Sequence, residues 1–150
     1  MSKHAQRRFY GLAEGFTLVE VLVALLVLSI GMLGIAALYL DSLRASRAAL
    51  YRTQAVVLAS DIADRIRANR NPIDAYDCGG ECLAGTGGNA VAITDINAWL
   101  ANVQRELPGG TCSLTFTAGA ANAPNVYDVA VTWAEVGYED PLTFTLQIEI

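Results

Sequence analysis

Hydrophobic and polar positions change period three times along the chain. From Phe16 to Leu40 they do not alternate at all: this run of 25 residues contains one carboxylate, Glu20, and no basic side chain. At ~1.5 Å rise per residue a helix of that length reaches roughly 37 Å, enough to cross a hydrocarbon layer of about 30 Å. From 41 to 70 the pattern turns amphipathic, with Leu43, Leu50, Val57, Leu58, Ile62 and Ile66 as apolar positions at helical spacing. Asp61 with Arg65, and Asp64 with Arg67, are spaced for pairing on that helix's surface. No Pro or Gly interrupts 36–70, and Asn71-Pro72 then supplies a stop.

The stretch 71–89 holds Pro72 and five glycines without periodicity and reads as a surface loop. Thr94 and Asp95 are expected to open a short helix, near 94–107, with Ile96, Trp99, Leu100, Val103 and Leu107 on one face before Pro108-Gly109-Gly110. Trp99 fits a packing anchor better than a ligand platform. In 112–150 the period falls to two in three segments: Cys112, Leu114, Phe116; Tyr127, Val129, Val131, Trp133; and Leu142, Phe144, Leu146, Ile148, Ile150. The predicted fold class is α+β, a long N-terminal helix packed on a small antiparallel sheet of about three strands, joined as a meander.

Charge sharpens this picture. Lys3, Arg7 and Arg8 precede the apolar run with only Glu14 against them, so the N-terminal side is expected in the cytoplasm and the rest outside it. A chain beginning at Phe16 has seven Arg, no Lys and fourteen Asp plus Glu, a formal charge of −7. Such an acidic body offers no general grip on nucleic acid, and none is predicted as a partner. The sole histidine, His4, lies before the apolar run, and the Gly79-Gly80, Gly87-Gly88 and Gly109-Gly110 pairs lack the Lys-Ser/Thr of a phosphate loop. Neither an enzyme nor a cofactor is predicted.

The three cysteines, Cys78, Cys82 and Cys112, follow the apolar run and would meet an oxidising periplasm. Three pairings are possible from sequence. The one between Cys78 and Cys82, closing a small ring over Gly79-Gly80-Glu81, is favoured, with Cys112 then a buried thiol. Three thiols at this spacing match no common zinc site, so no metal is predicted.

Glu20 requires a reason, because a carboxylate in a membrane span costs about 2 to 3 kcal/mol at mid-bilayer and less near the interface. A capping box with Thr17 is one reading. A secretory signal peptide cut near Gly34-Ile35-Ala36-Ala37 is another, although the run is too long for it.

A third comes from resemblance. Gly15-Phe16-Thr17-Leu18-Val19-Glu20, after a basic leader and before a long apolar run, resembles the junction of type IV prepilins and type II secretion pseudopilins. The resemblance implies a cytoplasmic leader, 1–15, removed after Gly15 by a membrane-embedded prepilin peptidase that then methylates the amine of Phe16. It implies that Glu20 neutralises that amine, its own or a neighbour's, and sets the register between subunits. Residues 16–40 would be the transmembrane half of a spine helix and 41–70 its periplasmic half, anchoring the chain once in the bacterial inner membrane. Gly31 and Gly34 would be places where the helix loosens on packing, or where small residues let membrane helices pack closely. Many major pilins carry a proline slightly farther on, where this chain has Ala37, and end in a cysteine-bounded loop, whereas 38 residues follow Cys112 here. The segments 58–70, 31–34 and 95–99 look like those of PilV-type minor pilins, the type IV pilus modification proteins. That implies a subunit that helps prime pilus assembly, with other minor pilins, the major pilin, the inner-membrane assembly platform and the lipid bilayer as partners, and with surface fimbriae and twitching motility as the outcome. A minor pseudopilin of a type II secretion system is the alternative.

Overall fold

The computed structural model describes residues 15–121 and 123–150. By internal contacts the chain divides into two units, 1–41 and 42–150. The first helix, α1 (Leu18–Ala68), contributes to both. In the first unit its residues are exposed throughout, and this is the only helix among the described residues long and apolar enough to cross a membrane. The helix passes through Gly31 and Gly34 without a break.

In the second unit the core face of α1 is built from small and branched residues at helical spacing: Ala55, Leu58, Ala59, Ile62, Ala63 and Ile66 are buried. Leu43, Leu50 and Val57, expected on the same stripe, are exposed instead. Seven-residue spacing keeps these three on one common face, but at about 100° per residue that face is turned roughly half a circle from the Ala55–Ala59–Ile62–Ile66 row. The alanines let the helix backbone approach its neighbours closely, since no side chain longer than a methyl stands between. The helix ends at Ala68, with the Asn69 amide still reaching the carbonyls of Arg65 and Ile66, before Pro72.

A second helix, α2 (Ala90–Glu106), begins four residues before the expected Thr94. Asn89 is its cap: in an extended conformation, its side-chain oxygen accepts the Ala92 amide at 2.8 Å. The glycines around it masked this start. Ile96, Trp99 and Val103 face the core, and Trp99 is fully buried, its indole N–H donating to the Leu58 carbonyl of α1 at 2.9 Å. The chain then turns tightly through Gly110, where a Cβ would lie 2.5 Å from the Val103 carbonyl oxygen, so only glycine fits.

The sheet has four strands, one more than the alternation predicts. They are β1 (Gly80–Glu81), β2 (Thr111–Thr117), β3 (Val126–Trp133) and β4 (Leu142–Glu149), antiparallel and in sequence order. A two-residue strand has no period to read. It forms because Cys78 and Cys82 on either side donate their amides to the carbonyls of Leu114 and Cys112 on β2. The stretch 71–89 is correspondingly less superficial than a glycine-rich loop suggests: Ala75, Tyr76 and Cys82 are part of the core. On β3 every second residue, from Tyr127 to Trp133, is buried. β4 is at the end of the sheet, and of its inward residues only Ile148 is fully buried, Leu142, Phe144 and Leu146 being partly covered.

Candidate assembly surface

The described part of the chain opens with Gly15 and Phe16, and Phe16 is 83% exposed. Thr17 starts α1: its hydroxyl accepts the Glu20 amide at 3.2 Å and its carbonyl accepts the amides of Glu20 and Val21. This is half of a capping box, since among the described residues the Glu20 carboxylate makes no hydrogen bond or ion pair. Helical spacing lays Phe16, Glu20, Val21, Ala24, Leu25 and Leu28 along an open groove of about 580 Å³. The preceding leader residues, 1–14, lie outside the described residues. Beyond Gly34 the exposed face continues through Leu38, Tyr39 and Leu40.

The second unit carries a different kind of site, a polar cluster that fixes its fold. Arg65 bridges Asp61, at 3.2 Å, and Asp95 of α2, at 2.9 Å. The Tyr76 hydroxyl donates to the other Asp95 oxygen at 2.6 Å. The hydrogen bond to Asp95 raises the Arg65 pKa above its ordinary value, against the opposing effect of burial. Burial, reinforced by the Asp95 carboxylate, pushes the Tyr76 phenol to about 12. The Tyr127 hydroxyl donates to the Ile73 carbonyl at 2.9 Å and accepts the Tyr76 amide at 3.2 Å, and its own pKa rises to about 12, chiefly through burial. The Asp61–Arg65 pairing was visible in the helical spacing. Its extension to Asp95 and Tyr76 was not, because nothing in the local sequence links residues 30 positions apart.

Cys78 and Cys82 form a disulfide with Cα atoms 5.2 Å apart. Cys112 is free and buried, and desolvation with the nearby Glu81 charge pushes its thiol to about 12. Among the described residues no group of three or more His, Cys, Asp or Glu side chains is placed to hold a metal ion. Among the described residues, the clefts lined by Arg44, Arg52, Trp133 and Gln54 bring together no nucleophile, base and orienting group.

A single helix, lipid-compatible over its first half and packed on an antiparallel meander over its second, is a pilin-like arrangement, and its apolar half fits a single-pass membrane anchor. Two family models match parts of the chain: Prokaryotic N-terminal methylation motif over residues 13–36 and Type IV pilin Tt1218 over residues 37–80. Together they support a type IV prepilin-like protein, and the methylation motif spans both Gly15–Phe16 and Glu20. No curated protein and no solved structure matches it. Both family matches point to a structural part of a pilus system that works with other pilus components and the prepilin peptidase.

Proposed function

We propose that the chain is a minor pilin, a single-pass inner-membrane subunit with its C-terminal body in the periplasm, which helps prime type IV pilus assembly together with other minor pilins and the major pilin. The observation that carries the reading is Glu20: an exposed carboxylate without a partner among the described residues, one helical turn from Phe16 on a face otherwise built for lipid or for other apolar helices. Cleavage after Gly15 releases an amine at Phe16. That amine, methylated by the same peptidase, gives Glu20 its counter-charge on the same chain or on a neighbouring subunit. In a low-dielectric setting an unpaired carboxylate is strongly disfavoured, so a pairing between subunits selects one axial register over its alternatives. Removal of the leader 1–15 is thus the step that makes the helix fit to pack.

In the same reading, 16–40 is the part of the spine that stays in the bilayer before assembly, 41–70 carries the body, and Gly31 and Gly34 are where the helix loosens when subunits pack. Leu43, Leu50 and Val57, exposed at seven-residue spacing, supply the periplasmic continuation of the apolar contact. The subunit would enter the pilus at the cell surface and support twitching motility.

The decisive measurement is the intact mass of the chain extracted from membranes of cells with and without the leader peptidase. A mass equal to 16–150 plus a methyl group is expected in the first case and the uncut chain in the second; an intact Met1 chain in both sinks the reading. A minor pseudopilin of a type II secretion system would give the same mass. Deletion separates the two, with lost surface pili expected here and lost enzyme secretion with normal pili expected for the pseudopilin.

A further inference from the structure

β4 is the last strand of its sheet and, among the described residues, it pairs on one side only, with β3. One bond just beyond the strand tells which of its backbone groups face the open side. Ile150 continues the β3–β4 register and donates its amide to the Asn125 carbonyl at 2.9 Å. Bonded and unbonded pairs alternate in an antiparallel ladder, so Leu142, Phe144, Leu146 and Ile148 are the residues bonded to β3. Thr143, Thr145, Gln147 and Glu149 each turn an amide and a carbonyl to the open edge.

Natural edge strands are ordinarily blunted by lysine, proline, a bulge or an inward charge. β4 has none of these. From Leu142 to Glu149 it contains no Lys, Arg, Pro or Gly, its register against β3 is unbroken, and its one charge is the last residue. The inner side of this edge is also unfinished. Leu142, Phe144 and Leu146 are only partly covered, whereas every second residue of β3 is buried. Beside them a recess of about 300 Å³ separates β4 from α1, lined by Arg52, Val56, Trp133, Leu142, Thr143 and Phe144. Trp133 is 3% exposed, and its indole N–H has no acceptor among the described residues. An open row of backbone groups beside a half-covered apolar shelf is the surface on which an extended peptide adds as a strand.

Charge narrows the choice of peptide. From Thr111 to Ile150 the chain carries Asp128, Glu135, Glu139, Asp140 and Glu149 and no Lys or Arg. Glu149 closes the open edge at one end, and Glu139 and Asp140 precede it at the other. Asp128 lies one strand inward, where it accepts from Gln147 at 3.0 Å. The basic side chain at the recess, Arg52, lies 3.7 Å from Glu135. An incoming strand with Asp or Glu on its outer face would be repelled along this edge, and one with Lys or Arg attracted. A second copy of β4 brings another carboxylate and no base, so the edge does not select itself.

We propose that the open edge of β4 binds an extended basic segment of another protein chain as an added strand. The backbone of that segment pairs with Thr143, Thr145, Gln147 and Glu149, and its alternate apolar side chains cover Leu142, Phe144 and Leu146. Its Lys or Arg side chains lie on the outer face, among Asp128, Glu149 and the Glu139-Asp140 turn. The inference rests on the fold of the second unit and on no particular role in a pilus, so it stands or falls separately from the minor-pilin reading.

The test is fluorescence anisotropy of a labelled, acetylated and amidated peptide, Val-Lys-Val-Lys-Val-Lys-Val, titrated with the full chain in nonionic detergent at low salt. Saturable binding is expected, and roughly tenfold weaker binding when Glu replaces every Lys. Methylating alternate peptide amides separates strand addition from general attraction to an acidic body. Binding should be lost when the Lys amides are methylated if the added strand is antiparallel, or the Val amides if it is parallel, and should survive in the other set. Thr145→Pro removes an edge amide without touching a β3–β4 bond and is expected to weaken the Lys peptide by roughly tenfold or more. Near-UV circular dichroism confirms that the variant is folded, and the methylated peptides make the same test on the unaltered chain. Equal binding of the Lys and Glu peptides, binding that survives methylation of both sets, or no saturable binding of the Lys peptide overturns the proposal. So does self-association of the parent chain that Thr145→Pro abolishes, which would assign the edge to a second copy.

Discussion

Replacing Tyr127 by Phe removes one oxygen from the middle of the second unit and almost no volume. The ring keeps its place against Phe116, whose centroid is 5.2 Å away, so no cavity term enters. What disappears is a two-sided hydrogen bond: the hydroxyl accepts the Tyr76 amide at 3.2 Å and donates to the Ile73 carbonyl at 2.9 Å. Ile73 is exposed enough for water to take over its carbonyl, but Tyr76 is 1% exposed and its amide is left without an acceptor. An orphaned buried donor costs about 1–3 kcal/mol and the lost bond to Ile73 about 1 more, so the expected total is about 2–4 kcal/mol. For a unit of this size that corresponds to a fall of roughly 8–15 °C in Tm. Thermal unfolding of the full chain in detergent, followed in the near-UV, measures it. Hydrogen exchange adds a local reading, since the Tyr76 amide should lose protection more than the amides of β3. A Tm within about 2 °C of the parent chain would refute the reasoning, because it would mean that the amide finds water or another acceptor.

Asp95→Ala strips both Arg65 and Tyr76 of their shared acceptor and should cost about 1.5–3 kcal/mol in denaturant unfolding, with Asp95→Asn intermediate. Tyr76 and Tyr127 have folded pKa values raised from 10.0 to about 12, and Cys112 from 9.0 to about 12. Their contribution is complete below about pH 9 and is lost as pH climbs from there to 12, because the unfolded chain releases these protons first. The denaturation midpoint should therefore be flat between pH 7 and 8.5 and decline above 9, and Tyr127→Phe should flatten part of the decline above 10. Cys112 should resist a thiol-directed reagent in the native chain and react once the chain is unfolded without reductant. Rapid native labelling would contradict its burial. Glu20→Gln should leave leader removal intact while reducing recovery of the subunit in sheared pili, as read by immunoblot of pilus and membrane fractions.

How far the sequence disclosed this molecule depended on the range of the interactions. The apolar run, the turn at Pro72 and the alternating segments of β2, β3 and β4 were legible because each is set by a period or a breaker within about ten neighbouring residues. The N-terminal junction was legible through resemblance, on the residues from Gly15 to Glu20. What escaped was decided elsewhere in the chain. The first turn of α2 lies among glycines and depends on the Asn89 cap, and β1 exists only because β2 offers it carbonyls. The Arg65–Asp95–Tyr76 cluster joins three segments that share no local signal. The cleft at Arg44, Arg52 and Glu135 escaped for the same reason, since the turn that completes it follows α1 by more than 60 residues.

The alanine row of α1 bears on how this chain tolerates change. Ala55, Ala59 and Ala63 are each 0% exposed, on the face of the helix turned to the core. An added methylene there has no free volume to enter and would force the packed elements apart, at about 1–3 kcal/mol for each site. Leu43, Leu50 and Val57, larger and more hydrophobic, have room around them in the isolated subunit. Between these two sets, sensitivity to substitution therefore runs opposite to side-chain size. A scan that ranks positions by hydropathy would set the exposed leucines above the alanines, whereas the folded body depends on the three small residues and not on Leu43 or Leu50.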